Sequence, residues 1–460
     1  MTSPTLTFLG AVGTVTGSRF LVDGAETRVL VDAGLFQGLA DLRRRNWEDL
    51  DVAPATLAAV VLTHAHLDHS GYLPKLVRDG FAGRIVCTEQ TAELAAIVLR
   101  DSAHLQEEDA AYANSVGFSK HRPALPLYDA SDVEKTLPLL DPIGYDEPTP
   151  LGPGVSVTLR PAGHILGSAT ALLEVDGARV LFSGDLGRPH HPLLLPPADP
   201  PEVDVIVVES TYGDRAHPPP DDDLLADAVR RTVKRGGSVL IPAFAVDRTE
   251  LVLLELDRLR RAGRIPDVPI YVDSPMALSA LEVYRRAARD PAGLVRHGRA
   301  GEDLLQISGV HAVHDAGESA RLNRPAFPCI TISASGMATG GRVVHHLRHQ
   351  LPDPRNTVVL TGYQAVGTRG RQLVDGARQV KMHGRYVPVH AEIVQIPDFS
   401  VHADGDELVT WLSRAPRPPH TVYVVHGEPR SAAALAHRIT EDLHWCAVVP
   451  RLGERVRLDR

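Results

Sequence analysis

Residues 61–71, Val-Leu-Thr-His-Ala-His-Leu-Asp-His-Ser-Gly, crowd three imidazoles and a carboxylate into six positions: His64, His66, Asp68 and His69. Neutral imidazole and carboxylate are the ligands that suit Zn²⁺, so the chemistry on offer is metal binding. Positions two apart do not share a helical face, but at an extended strand end they do, so His64 and His66 can point the same way. Asp68 and His69 fall where the chain turns toward a helix and can serve a neighbouring cation. The device recurs along the chain. Asp32 ends the apolar run RVLV, Asp185 ends RVLFSG, Glu209 ends VDVIVV and His426 ends TVYVV, while His164 sits in the glycine-flanked turn PAGHILG. A polar group at the C-terminal end of an apolar strand is where open α/β and sandwich-like sheets gather a site. One such residue alone reads as a turn or core group; five of them beside the histidine cluster read as a site.

The elements that must position these residues alternate in two rhythms. The first part reads as strands and turns: TLTFLG, RFLVDGAETRVLVD with a turn at Asp23-Gly24, AAVVLTH, RIVCT, the long stretch 155–185 with a turn at Asp176-Gly177, and VDVIVVEST. Helices are predicted over Ser70–Asp79 and about 90–116. From 211 onward the rhythm becomes strand then helix: SVLIPAF, PIYVDS, CITISAS and TVVLTGY, with helices predicted over Asp247–Ala262, Pro275–Arg289 and Gly341–Gln350. That alternation predicts a parallel, doubly wound α/β unit entered through the proline-rich 216–223. The earlier style returns at 395–460, with the strand TVYVVHGE and a helix near 430–443. His345, His346 and His349 share a predicted helix with Arg342 and Arg348 and read as a solvated face.

A chain of 460 residues exceeds one ordinary core. At 43 % hydrophobic and 23 % charged it has the balance of a soluble globular protein, and no apolar run reaches membrane-spanning length. The start, Met1-Thr2-Ser3-Pro4, lacks a basic secretory signal, and Cys87, Cys329 and Cys446 lie far apart without CxxC pairing. A reducing cytoplasm is the expected location. The net charge of −9 is unevenly spread: residues 211–399 hold 25 Lys+Arg against 21 Asp+Glu, and the rest hold 23 against 36. A mildly basic middle in an acidic frame is compatible with a polyanionic substrate without demanding one.

THAHLDHSG, with the later GH, SGDLGR and VHGE, resembles the metallo-β-lactamase fold, an αββα sandwich with a di-zinc site. ESTYGDR (209–215), DFSVHAD (398–404) and VYVVHGE (422–428) resemble motifs A, B and C of its β-CASP branch of nucleases. SASGMATGGR (333–342) and TGYQAVGTRGR (361–371) are similar to the RNA-cleaving members, which include the nuclease subunit of the polyadenylation cleavage factor and its bacterial and archaeal relatives. The likeness covers almost the whole chain. It implies a metallo-β-lactamase domain formed by 1–210 and completed by 396–460, with a parallel α/β β-CASP domain, 211–395, inserted and roofing the metal cleft.

The same resemblance implies the roles. One Zn²⁺ would take His64, His66 and His164; the second would take Asp68, His69 and His426; Asp185 would bridge them. Asp32 would orient a ligand histidine. A hydroxide between the cations would attack phosphorus, with Asp68 in the catalytic set, and His402, oriented by Glu209, would protonate the leaving oxygen. Products would carry 5′-phosphate and 3′-hydroxyl ends. In the insertion, Ser335 and Gly336 in a Gly/Ser-rich turn, Arg369, and Arg248 behind them are the expected contacts to the substrate backbone.

Single-stranded RNA is the expected partner, no membrane is, and a homodimer is compatible with the sequence. The chain ends about thirty residues after HGEPR, leaving no room for the extra C-terminal domain of the 5′-exonucleolytic relatives. Endonucleolytic cleavage is therefore the expectation, with 5′-to-3′ trimming second. Two alternatives use the same cluster. A small-molecule ester or thioester hydrolase would not need the insertion, Glu209 or His402, and a crosslink-repair DNA nuclease is disfavoured by the histidine in motif C.

Overall fold

The computed structural model describes residues 3–458 except 118–120, 220, 222, 291–292, 297–306 and 308. Two positions of the proline-rich stretch 216–223 thus lie outside the described residues. The chain divides into two compact units, Met1–Ala216 with Val401–Arg460, and His217–Ser400.

The first unit is built on two seven-stranded sheets. One runs, edge to edge, Arg455–Arg457, Thr5–Phe8, Phe20–Asp23, Arg28–Val31, Ala59–Val61, Arg84–Cys87 and Leu140–Pro142. The other runs Ala447–Val448, Thr421–Val424, Val205–Val208, Ala178–Phe182, Ala169–Val175, Val155–Pro161 and Thr149–Gly152. Each sheet is antiparallel at one side and parallel at the other. The parallel runs are Arg28 to Leu140 in the first sheet and Ala178 to Ala447 in the second.

Their inner faces meet in one core. Phe8, Val22, Val31 and Val61 come from the first sheet, and Val157, Leu173, Phe182 and Val207 from the second. Leu181, Ile206 and Val424 point the other way, under Leu408, Trp411, Leu435 and Ile439 of the helices Gly405–Ser413 and Pro429–Leu443. Strands buried on both faces must be apolar throughout, which is why the runs read as unbroken Val/Leu/Ile. Such a strand turns polar only where it ends, and each burial there contributes roughly 1.5–3 kcal/mol to holding that end in place.

The second unit holds a six-stranded sheet in the order Val310–Ala312, Ile270–Val272, Ile330–Ser333, Val239–Pro242, Thr357–Leu360, Glu392–Gln395, parallel throughout. Helices Arg248–Arg261, Pro275–Arg289, Ala316–Leu322, Arg342–Gln350 and Arg369–Val374 alternate with these strands. The strand–helix rhythm gives the parallel sheet it predicts.

Two local expectations are corrected. The helix predicted over Ser70–Asp79 is instead two pieces, Leu67–Ser70 and Leu73–Arg78. Pro74 lies in the first turn of the second piece, where its missing N–H and fixed φ start a helix and cannot continue one. The solvated histidine face holds at exposed His345 but fails at His346, which is fully buried because Asp273 presents an acceptor beneath it.

Candidate metal centre

The 64–69 segment is held by its backbone. The carbonyls of Leu67, Asp68 and His69 accept from the amides of Leu35, Ser18 and Ala33 at 2.7–2.8 Å. Gly34 lets this happen: a Cβ there would stand 1.6 Å from the Asp68 carbonyl oxygen. His66 and Asp68 are partly exposed and form the mouth, while His64, His69, His164, Asp185 and His426 are buried.

The donor atoms fall into two groups that share one carboxylate. His64 Nε2 and His164 Nε2 each lie 3.2 Å from His66 Nδ1, and 3.6 and 3.7 Å from Asp185 Oδ2. On the other side His69 Nε2 is 3.2 Å from His426 Nε2, which is 3.7 Å from Asp68 Oδ2. Asp185 Oδ1 faces this second group, 3.3 Å from His69 Nε2 and 3.4 Å from His426 Nδ1. Ligands about 2.0–2.1 Å from a tetrahedral Zn²⁺ stand about 3.3 Å apart, so these spacings are those of a ligand shell. His164 Nδ1 and Asp185 Oδ1, both buried, make no hydrogen bond. Each ring would otherwise crowd its neighbour's lone pair, and the donor set fits metal ions.

Surrounding groups fix which nitrogen carries hydrogen. Asp32 Oδ2 lies 2.7 Å from His69 Nδ1; a carboxylate only accepts, so Nδ1–H donates and Nε2 is left bare. Thr63 gives its one hydroxyl proton to Asp32 Oδ2 at 3.0 Å and so accepts from His64 Nδ1 at 3.1 Å. Thr211 donates to the His426 carbonyl and accepts from His426 Nδ1 at 3.2 Å. Sequence reasoning missed Thr63 and Thr211. The only signal was adjacency, since Thr63 precedes His64 and Thr211 follows Glu209 by two. Asp32 and His426 also take left-handed backbone angles, φ 58° and 49°, a conformation uncommon for residues with a Cβ.

Electrostatics agree with this geometry at three of the imidazoles and push a fourth, His69, toward its charged form. Burial drives the His64 and His164 imidazoles well below the ordinary 6.5, and that of His66 down to about 4, so all three stay neutral and able to ligate. Burial acts likewise on His69, but the negative charges of Asp185 and Asp32 outweigh it and hold that imidazole well above its ordinary value. Burial would raise the Asp185 carboxyl, yet His426 and His69 hold it well below the usual carboxylate range.

Beside these groups stands a second pair. Glu209 Oε1 lies 3.3 Å from His402 Nδ1, which is also 3.9 Å from Asp185 Oδ2. The carboxylate is fixed by the amides of Leu186 (2.7 Å) and Thr211 (3.2 Å). His402 is placed by the capped start of helix Gly405–Ser413, where Asp404 accepts from the amides of Asp406 and Glu407, and by the Ala403 amide on the Leu186 carbonyl.

The expected substrate contacts lie in the second unit. Ser335 Oγ accepts from the Thr339 amide, the Gly336 carbonyl accepts from Gln364 Nε2, and Arg248 is buried with its guanidinium beside Gly362. Arg369 donates to the carbonyls of Ala338, Thr339 and Lys381, so it holds the 335–341 turn in shape.

An αββα sandwich with paired His/Asp donor groups at its strand ends defines a metallo-hydrolase. The Metallo-beta-lactamase superfamily matches residues 12–243, the Beta-Casp domain 249–373, and the Zn-dependent metallo-hydrolase RNA specificity domain 386–450. The chain belongs to the metallo-beta-lactamase superfamily and carries its Beta-Casp domain. It is 38% identical to ribonuclease TTHA0252 of Thermus thermophilus, over 93% of this chain and 94% of that one. It is 31% identical to an RNase J-like protein of Methanocaldococcus jannaschii (97% and 98%), and 32% identical to the transcription termination factor FttA of Methanosarcina mazei (95% and 69%). A crystal structure of a protein of unknown function from Enterococcus faecalis shares the fold, with a TM-score of 0.52 at 13% identity over 99% of this chain and 100% of that one. Among the described residues no helix is long and apolar enough to cross a membrane.

Proposed function

We propose that this protein is a zinc-dependent ribonuclease of RNA processing or decay, holding two Zn²⁺ and cutting single-stranded RNA internally, with 5′-to-3′ trimming as its lesser activity. The observation that carries this reading is the sharing of Asp185 between two donor groups, with Glu209 and His402 beside them. His64, His66 and His164 would hold one ion, Asp68, His69 and His426 the other. When bound, the metal ions supply a lowered water pKa and a positive field for the phosphoryl oxygens. The chain's own residues do the rest. Glu209, locked by two amides, accepts the Nδ1–H of His402 and favours its imidazolium form, whose second proton, on Nε2, goes to the departing ribose oxygen. Asp32 and Thr63 keep His69 and His64 in the tautomers that point Nε2 inward. The inserted domain, taken as 211–395, supplies substrate contacts through Ser335, Gly336 and Arg369, with Arg248 buried behind them, and the flanks 1–210 and 396–460 supply the chemistry. A homodimer in the cytoplasm completes the proposal.

The decisive experiment digests 5′-labelled and 3′-labelled single-stranded RNA with wild type and His402→Ala, with and without chelator. Internal cuts should vanish in chelator, and His402→Ala should lower kcat by about 10²–10⁴-fold while metal content stays at the wild-type level. Cutting that persists in chelator, or a His402→Ala enzyme of full activity, would refute it.

A further inference from the structure

The inserted unit carries a concave site that the metal centre does not use. In its sheet Leu240, Thr331, Tyr271 and His311 are register neighbours on four adjacent strands, so their side chains stand in a row on one face. Leu240 is sealed by Val343, Val344 and Leu347 of helix Arg342–Gln350, and Thr331 is buried. Then the cover ends. Tyr271 is half-buried and His311, on the edge strand, is exposed. Their rings lie 5.1 Å apart with planes 32° from parallel, forming a two-ring platform at the sheet edge.

That platform opens into a cavity of about 860 Å³ whose wall includes Phe327, Arg321, Arg324 and His349. Phe327 is 54 % exposed. Among the described residues exposed Arg324 makes no ion pair and Arg321 pairs only with Glu318, at 3.9 Å with both side chains open to water. Such a pair is weak and readily exchanged for another anion. Two exposed aromatic rings, a half-buried third and two available guanidinium groups around a cavity of ligand size are poor surface for a monomer. They match the demands of unpaired nucleotides, whose bases need a flat π-face and whose phosphates need guanidinium donors.

We infer that this pocket is an accessory docking site for a short segment of single-stranded RNA. A base stacks on the Tyr271–His311 platform or on Phe327, and flanking phosphates meet Arg321 and Arg324. The identity of the strand rests on the ribonuclease reading; the pocket holds substrate and takes no part in bond cleavage.

The test is fluorescence anisotropy of a labelled oligouridylate on the full chain in chelator, with turnover on the same RNA measured separately in zinc. Tyr271→Ala should weaken binding about tenfold, Tyr271→Phe should retain it, and an abasic strand of equal length should bind wild type and Tyr271→Ala alike. Arg324→Glu, on an exposed loop where folding is not at stake, should weaken binding at least about threefold and flatten its salt dependence. In turnover both variants should raise KM and leave kcat unchanged. Unaltered affinity and KM in both, or a Tyr271→Ala loss that Phe does not rescue and the abasic strand shares, would overturn the inference. The two readings fail separately. Tyr271-dependent binding without any RNA cleavage would sink the ribonuclease and keep the pocket, whereas an active ribonuclease indifferent to these substitutions would sink the pocket alone.

Discussion

Two buried clusters in this protein combine imidazole with carboxylate, and they resolve their polarity in opposite ways. Around Asp273, in the inserted unit, every partner complements another. Arg342 Nη1, Ser319 Oγ and His346 Nε2 donate to the carboxylate at 2.6–2.7 Å, and His346 Nδ1 meets Asn323 Oδ1 at 2.9 Å. The network clamps helices Ala316–Leu322 and Arg342–Gln350 to the end of strand Ile270–Val272 and is complete as it stands. Around Asp185 the imidazole nitrogens face each other at 3.2 Å, and buried donor atoms are left over. Residue type alone does not separate a clamp from a ligand shell. What each nitrogen faces does: an acceptor in the first case, another lone pair in the second.

Replacing the central carboxylates should separate the two clusters most sharply. Asp185→Asn removes the negative charge and one of the two carboxylate oxygens that Asp185 turns to the two donor groups, so RNA cleavage should fall by more than about 10³-fold. Bound zinc, measured by plasma mass spectrometry, should fall with it. Retention of both metal and activity would erase the distinction drawn here.

Asp273→Ala should do the reverse, leaving zinc content intact while costing about 3 kcal/mol or more in urea unfolding, because Arg342 loses its buried counter-charge and His346 its buried acceptor. Burial would raise the Asp273 carboxyl, but the hydrogen bonds of His346, Ser319 and Arg342 hold it below its ordinary 3.8. A folded value below the unfolded one means that the stabilisation is fully present above 3.8 and drains away as pH falls through the folded value. The stability gap between wild type and variant should therefore be flat near neutrality and close only in strong acid. A gap that closes as pH rises would contradict the assignment.

Asp32→Asn gives the smallest effect. It keeps shape at His69 Nδ1 but removes the charge, and zinc affinity measured by chelator competition should fall about 10–100-fold.

Some of this was readable from residue order. Apolar runs that end in Asp32, His64, Asp185, Glu209 and His426 announce both a strand and a polar group at its tip, because a strand buried on two faces has no other place for one. The parallel sheet of the insertion followed from the same periodicity. His346 was not readable. On a helix with four basic or imidazole neighbours it looks solvated, and only Asp273, some seventy positions earlier, makes its burial affordable. Thr63 and Thr211 were equally silent, since a threonine beside a strand end is ordinary until its hydroxyl is seen between two named partners.

The sequence by itself determined which donor types exist and that each stands at the end of an apolar run, because strand burial and side-chain alternation are local physics. The tertiary structure alone decided which nitrogen of each ring turns inward, and that Asp185 offers one oxygen to each group. That arrangement depends on strand Thr421–Val424 pairing in parallel with Val205–Val208 across the whole insertion. No interaction between sequence neighbours encodes such a register; it is set by the packing of the sandwich core.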